Sequence, residues 1–264
     1  MSTSTRLAIG TDDIDLWLAF YDGIEDAGTL ADMGALLSDA ERRQQARFHF
    51  ADDRKRYLVT RALVRSVLSH YAAVDARDWV FVANAYGRPA IGNRHPDAQG
   101  LRFNLSHTRG LVVLAVGRDR ELGVDAENVA ARRVSPDIAD AFFSAREAAD
   151  VAATPAARVH DRLLEYWTFK EAYIKARGMG LSLPLDKFAF HFPHARAVRL
   201  DIDPALDDHG DRWTFWQYRP GADYLLALCA QKTAGGPTAV TLREVVPTAG
   251  FQAFAGVVEK SSDA

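Results

Sequence analysis

Cysteine is nearly absent from this chain: Cys229 is the single one among 264 residues. That excludes an intrachain disulfide framework and a cysteine-based metal site. Cys229 lies in an apolar run, residues 224–230, where a lone thiol reads as a small hydrophobe in a strand. Long hydrophobic runs are also missing, and no segment could span a bilayer. Residues 1–6 lack the apolar core of a signal peptide. The expectation is a cytoplasmic protein with no membrane partner. Neither sign of charge is in excess. The formal net charge is −3, which gives no reason to expect nucleic acid as a partner. No Gly-x-x-x-x-Gly-Lys-Ser/Thr loop occurs, which argues against a P-loop NTPase.

What the chain does have is 48% hydrophobic residues beside 25% charged ones, enough for a substantial core and a solvated surface. Its length suits one large domain or two small ones. Residues 30–71 read as helical. Ser38-Asp39-Ala40-Glu41 has the form of a capping box, and Tyr57, Val64, Leu68 and Tyr71 mark an apolar stripe at helical spacing. Basic residues recur from Arg42 to Arg65, and their plain reading is a solvated helical face. Residues 79–83 read as a strand ended by the turn Tyr86-Gly87-Arg88-Pro89. Two more strands, 101–105 and 111–116, are joined by a loop holding Ser106, His107 and Gly110.

A second cycle follows. Residues 122–126 read as a short strand, and Ser135-Pro136 as a helix start with proline in its first turn. Ser144-Ala145-Arg146-Glu147 is another capping-box candidate. Residues 161–177 form a strong helix pattern with Gly178 as its C-cap. Strands are expected at 188–192, 197–202, 213–218 and 224–230. Helices then strands, twice over, predict an α+β protein of two similar halves meeting near residue 118, without a residue-level repeat. The expected division is 1–118, 119–232 and a C-terminal extension, 233–264. Within that extension, residues 233–237 read as a linker to a peripheral tail, with 259–264 frayed.

Two acidic motifs carry the chemistry. In Gly123-Val124-Asp125-Ala126-Glu127, the two acids are two apart on a strand and so face the same side. In Trp167-Thr168-Phe169-Lys170-Glu171-Ala172-Tyr173-Ile174-Lys175, Glu171 lies on one helical face with Trp167 and Ile174. Three carboxylates suit a hard cation such as Mg²⁺, which takes oxygen ligands, water and substrate phosphate. Taken singly they are ordinary: Asp-x-Glu is common on strands, and most acid–lysine pairs four apart on a helix are surface ion pairs. Lys170, Lys175, Arg88, Ser106 and His107 are cations and donors of the kind a diphosphate requires.

Five motifs in order resemble the 4′-phosphopantetheinyl transferase superfamily, in its longer, pseudo-dimeric, Sfp-type class. They are Tyr86-Gly87-Arg88-Pro89, Phe103-Asn104-Leu105-Ser106-His107, Gly123 to Glu127, Phe142-Phe143-Ser144-Ala145-Arg146-Glu147, and the run from Trp167 to Leu181. The resemblance covers about Ser38 to Cys229. It implies two similar α+β halves related by a pseudo-two-fold, with the active site in the cleft between them. It implies transfer of phosphopantetheine from coenzyme A to a serine of an apo acyl, peptidyl or aryl carrier protein, releasing adenosine 3′,5′-bisphosphate. Asp125, Glu127 and Glu171 would be ligands to Mg²⁺, with Mn²⁺ as a substitute. Glu171 would also be the general base, directly or through water, and Lys170 and Lys175 would hold the diphosphate or steer the leaving group, Lys175 as a catalytic residue. Arg47, Arg88, Ser106 and His107 would contact the nucleotide side, and the enzyme would act as a monomer. The helix before Arg47 departs from members that carry lysines there, showing Glu41, Arg42, Arg43 and Gln44 instead. A non-catalytic binder of coenzyme A or a carrier protein, and a metal-dependent phosphohydrolase, are the alternatives.

Overall fold

The computed structural model describes residues 6–132, 135 and 137–263. In chain order the first elements are β1 (Asp13–Phe20), α1 (Ala27–Leu36), α2 (Asp39–Gln45), α3 (Ala51–Leu68), β2 (Phe81–Ala83), β3 (Pro89–Ile91), β4 (Leu101–Thr108) and β5 (Leu111–Arg118). Then come β6 (Leu122–Asn128), α4 (Asp137–Phe142), α5 (Ala145–Ala153), α6 (Val159–Arg177), β7 (Phe188–His191), β8 (Arg199–Ile202), β9 (Trp213–Tyr218) and β10 (Tyr224–Gln231). The C-terminal stretch adds β11 (Ala239–Val246), β12 (Gly250–Ala253) and β13 (Val258–Ser261). The result is an α+β protein of two compact units. One holds residues up to Asn84, Pro89–Asp119 and Gly235–Ala255; the other holds Ala85–Arg88, Arg120–Ala234 and the chain from Gly256.

The first unit is built on a five-stranded sheet in the order β12-β11-β1-β5-β4. β1 and β5 are buried along nearly their whole length, so β5 and the later part of β1 read as apolar runs rather than as alternation. α3 supplies Val59, Ala62, Leu63, Val67 and the predicted Val64 and Leu68 to the core under this sheet, with Tyr71 beyond its end. The helical stretch expected over 30–71 is three helices, because Ser38 closes a capping box with Glu41 and starts α2 anew. Glu41 does more than cap. It is buried and paired with Arg61 and Arg65, the latter at 2.8 Å. Two of the arginines expected on a solvated face are therefore turned inward.

The second unit is built on a four-stranded sheet, β13-β9-β10-β6, with α6 lying across β6 and β10. Cys229 is fully buried on β10, and burial pushes its thiol well up, as suits a small hydrophobe. Gly123 on β6 shows how close the helix lies. A Cβ there would overlap the Ala172 carbonyl oxygen and the Ala176 amide nitrogen of α6. α6 ends at Gly178, the expected C-cap, at φ 66°. Its last turn is fastened by Asp208, which accepts from Tyr173 Oη at 2.8 Å, Trp213 Nε1 at 2.8 Å and Arg177 at 2.7 Å.

Three expectations are corrected. The loop expected to hold Ser106 and His107 is strand: β4 runs on to Thr108, pairing Ser106 with Val113 and His107 with Val112, and the turn is left to Arg109 and Gly110. The C-terminal stretch is not a peripheral tail. β11 runs parallel to β1 from Asp13↔Ala239 to Leu18↔Glu244, and β13 pairs with β9. Nor are residues 259–263 frayed, because Lys260 is buried and pairs with Glu165 of α6 at 2.9 Å. The expected helix start at Pro136 lies outside the described residues.

Candidate active site

β6 and α6 form an acidic face on the second unit. Asp125 and Glu127 point the same way from β6, opposite Ala227 and Leu225 of β10, and both are buried. On α6, Trp167, Glu171 and Lys175 recur every four residues and so form a line along one helical face. Gly123 lets that line approach β6. Lys175 Nζ donates to Asp125 Oδ1 at 2.7 Å and to the Val124 carbonyl at 3.1 Å. At the other end, Glu127 pairs with Arg132, whose guanidinium carbon stands 4.9 Å from the centre of the Trp167 ring. Glu171 lies between them. Burial and the Asp125 charge raise its pKa, while Lys175 and Arg132 draw it down. A carboxyl raised in this way is a stronger base than an exposed one.

The three carboxylates expected to bind metal are thus on one face. They are not gathered into a closed ligand cluster: among the described residues, no group of three or more His, Cys, Asp and Glu side chains could hold a metal ion. Electrostatics accounts for part of this, since neighbouring carboxylates repel, and Asp125 settles on Lys175 and Glu127 on Arg132. In kind, the donors fit a hard divalent cation, for every one is a carboxylate oxygen.

The phosphate candidates separate. Lys175 is at the face. Lys170 is not. Its side chain is 1% exposed, and its ammonium is held by Glu147 at 2.8 Å and by the carbonyls of Leu185 and Phe188 at 2.7 and 2.9 Å. A lysine whose three protons are all donated inside the core holds no diphosphate, so the expected role of Lys170 is withdrawn. Arg88 donates to Glu121 Oε2 at 2.5 Å and to the carbonyls of Ala176 and Leu122 at 3.0 and 3.2 Å. It ties the end of α6 to the start of β6. In the first unit, Arg47 is exposed just beyond α2, while on β4 Ser106 is buried and His107 exposed. Arg132 was not foreseen. Its signal is weak, an arginine following an acidic strand, and its partners appear only once the chain folds.

A family model described as 4′-phosphopantetheinyl transferase superfamily matches residues 121–229, and one described as 4′-phosphopantetheinyl transferase, N-terminal, matches residues 27–118. The chain belongs to this superfamily. It is 32% identical over 200 residues to the 4′-phosphopantetheinyl transferase HetI of a Nostoc species, an alignment covering 76% of this chain and 83% of that protein. It is also 32% identical over 197 residues to the transferase Sfp of Bacillus subtilis, covering 74% and 83%. A third transferase, ffp of Bacillus subtilis, is 34% identical over 194 residues, covering 73% and 82%. The superfamily match spans both β6 and α6, and so the whole acidic face.

Proposed function

We propose that the protein transfers 4′-phosphopantetheine from coenzyme A to a serine hydroxyl of an apo acyl, peptidyl or aryl carrier protein. The observation that carries this reading is the face on which Glu171 of α6 joins Asp125 and Glu127 of β6 beside Lys175, in a chain of this superfamily. The serine oxygen attacks the phosphorus on the pantetheine side. The bond from that phosphorus to the bridging oxygen breaks, and its electron pair leaves with adenosine 3′,5′-bisphosphate.

Glu171 takes the serine proton, because a hydroxyl is a poor nucleophile without a positioned base. Lys175 brings positive charge to the diphosphate, which suits a reaction governed mostly by positioning and electrostatics. Asp125, Glu127 and Glu171 would hold Mg²⁺ or Mn²⁺. Bound there, the metal would neutralise the diphosphate and stabilise the leaving oxygen. Arg47, Ser106 and His107 are assigned to the nucleotide side. Arg88 is kept as a contact that must first exchange its carbonyl partners for phosphate. The units read as two similar halves, since each lays one long helix, α3 or α6, on its sheet. The enzyme is read as a cytoplasmic monomer.

Intact-mass analysis of an apo carrier, incubated with the protein, coenzyme A and Mg²⁺, tests the reading. One added phosphopantetheine, abolished by EDTA, is expected. Glu171→Gln should lose turnover while melting like the parent, and near-normal turnover in that variant would remove Glu171 from the mechanism. No mass gain with fatty-acid, polyketide or peptide carriers would overturn the assignment.

A further inference from the structure

Arg132 leaves the chain four residues after Asn128, the last residue of β6, and turns back onto the acidic face. Three features define its position. It pairs with Glu127, whose side chain is only 9% exposed. Its guanidinium stacks over Trp167, one helical turn before Glu171. Its own side chain remains 32% exposed, so it can leave toward solvent without disturbing the core. Lys175, by contrast, is rooted in α6 and also donates to the backbone of β6.

A carboxylate as buried as Glu127 is costly without a counter-charge. Arg132 provides that charge at the carboxylate that the proposed reaction assigns to a divalent cation. With Glu127 only 9% exposed, another cation must take the place of Arg132 when it leaves. We infer that Arg132 is the resident counter-cation of the acidic face: it neutralises Glu127 until a divalent metal displaces it, so that metal binding and release of Arg132 from Trp167 are one linked event. This rests on reading Asp125, Glu127 and Glu171 as the metal-holding set.

Linkage gives the consequence. A ligand that must expel a competitor binds more weakly than it would without one. Removing Arg132 should therefore tighten metal binding, whereas removal of a residue that merely supported the site would weaken it. The probe is Mn²⁺ alone, without coenzyme A, followed by the electron-paramagnetic-resonance signal of the free ion. The proteins are the full-length parent and the variants Arg132→Gln, Arg132→Lys and Asp125→Asn. Arg132→Gln should bind about 1.5- to fivefold more tightly than the parent, the range expected when a partly exposed ion pair is removed. Arg132→Lys, which keeps the charge but loses the guanidinium placed over Trp167, should fall between them. It also serves as the test should the glutamine variant fail to fold. In the parent, saturating Mg²⁺ should change tryptophan emission, and that change should vanish in Trp167→Phe. Affinity in both Arg132 variants equal to or below the parent's, with Asp125→Asn weaker still, would overturn the role of Arg132 and leave the metal site standing. Parent emission unmoved by saturating Mg²⁺ would likewise refute the displacement. Equal affinity in the parent, both Arg132 variants and Asp125→Asn would sink this inference together with the metal reading on which it depends.

Discussion

Lys170→Met separates a ligand from a core residue. Lys170 stands next to Glu171 in a motif that otherwise reads as chemistry, so a phosphate role was the natural expectation. In the fold its ammonium meets Glu147, whose side chain is 0% exposed, and lies 4.3 Å from the centre of the Phe188 ring. Glu147 is itself engaged on every side. It accepts from the Ser144 amide at 2.8 Å as the capping-box acid of α5, and from the Phe190 amide at 2.8 Å. Replacing the lysine by methionine keeps the volume but leaves this carboxylate buried without its cation and two carbonyls without their donor. Breaking one side of a buried ion pair costs about 3–5 kcal/mol. For a protein of this size each kcal/mol moves the melting temperature by about 2–4 °C, so a fall of roughly 6–20 °C is expected. Glu147→Gln in the same chain should recover part of the loss, because the unpaired charge is gone while an acceptor for Phe190 remains.

Differential scanning fluorimetry and urea melts read the stability, and steady-state kinetics at temperatures where the variant is folded read the function. The Michaelis constant for coenzyme A should stay near the parent value. If Lys170→Met melts within about 1 °C of the parent while that constant rises tenfold or more, Lys170 binds phosphate and the reasoning from burial is wrong.

The remaining predictions concern the platform beneath the site. Gly123→Ala forces a methyl group into the backbone of α6 at Ala172 and Ala176. It should cost at least about 1–3 kcal/mol, and by moving Glu171 and Lys175 relative to Asp125 it should lower turnover about a hundredfold; parent-like melting and rate would show that the helix gives way freely. Removing residues 233–264 uncovers the β1 edge and takes Lys260 from Glu165. The shortened chain should aggregate or be cut rapidly in limited proteolysis, and a monodisperse product melting like the parent would mean that β11 and β13 are dispensable.

Much of the second unit was legible because its signals are local. Ser144 and Glu147 announce α5, Gly178 ends α6, and the two-residue spacing of Asp125 and Glu127 fixes their common face. What stayed hidden depends on partners far along the chain. Lys170 falls in step with Leu163, Tyr166 and Tyr173, a buried stripe of α6. Helical spacing could have flagged it, but its counter-charge lies on another helix and its carbonyl partners beyond the end of α6. Arg88 looked like a turn arginine because nothing near it in sequence names the Ala176 and Leu122 carbonyls it holds.

The first unit was harder to read for a reason that bears on the whole molecule. β1 and β11 lie outside the segments matched by the family models, and they pair with each other. β1 also pairs antiparallel with β5, from Ile14↔Gly117 to Phe20↔Leu111. Without it, β5 would present a row of unpaired backbone groups at a sheet edge, the kind of edge that invites aggregation. Leu16, Trp17 and Leu18 are fully buried on that strand, and Asp15 within it accepts from Tyr71 at 2.5 Å and from Arg243 of β11 at 3.1 Å. That charged pair is a register mark: slipping β11 by one residue would turn Arg243 to the other face and leave Asp15 buried without its cation. β1 and β11 therefore complete the sheet of the first unit through contacts no local pattern could announce, while the acidic face proposed to carry the chemistry lies on β6 and α6, where short-range spacing makes it readable.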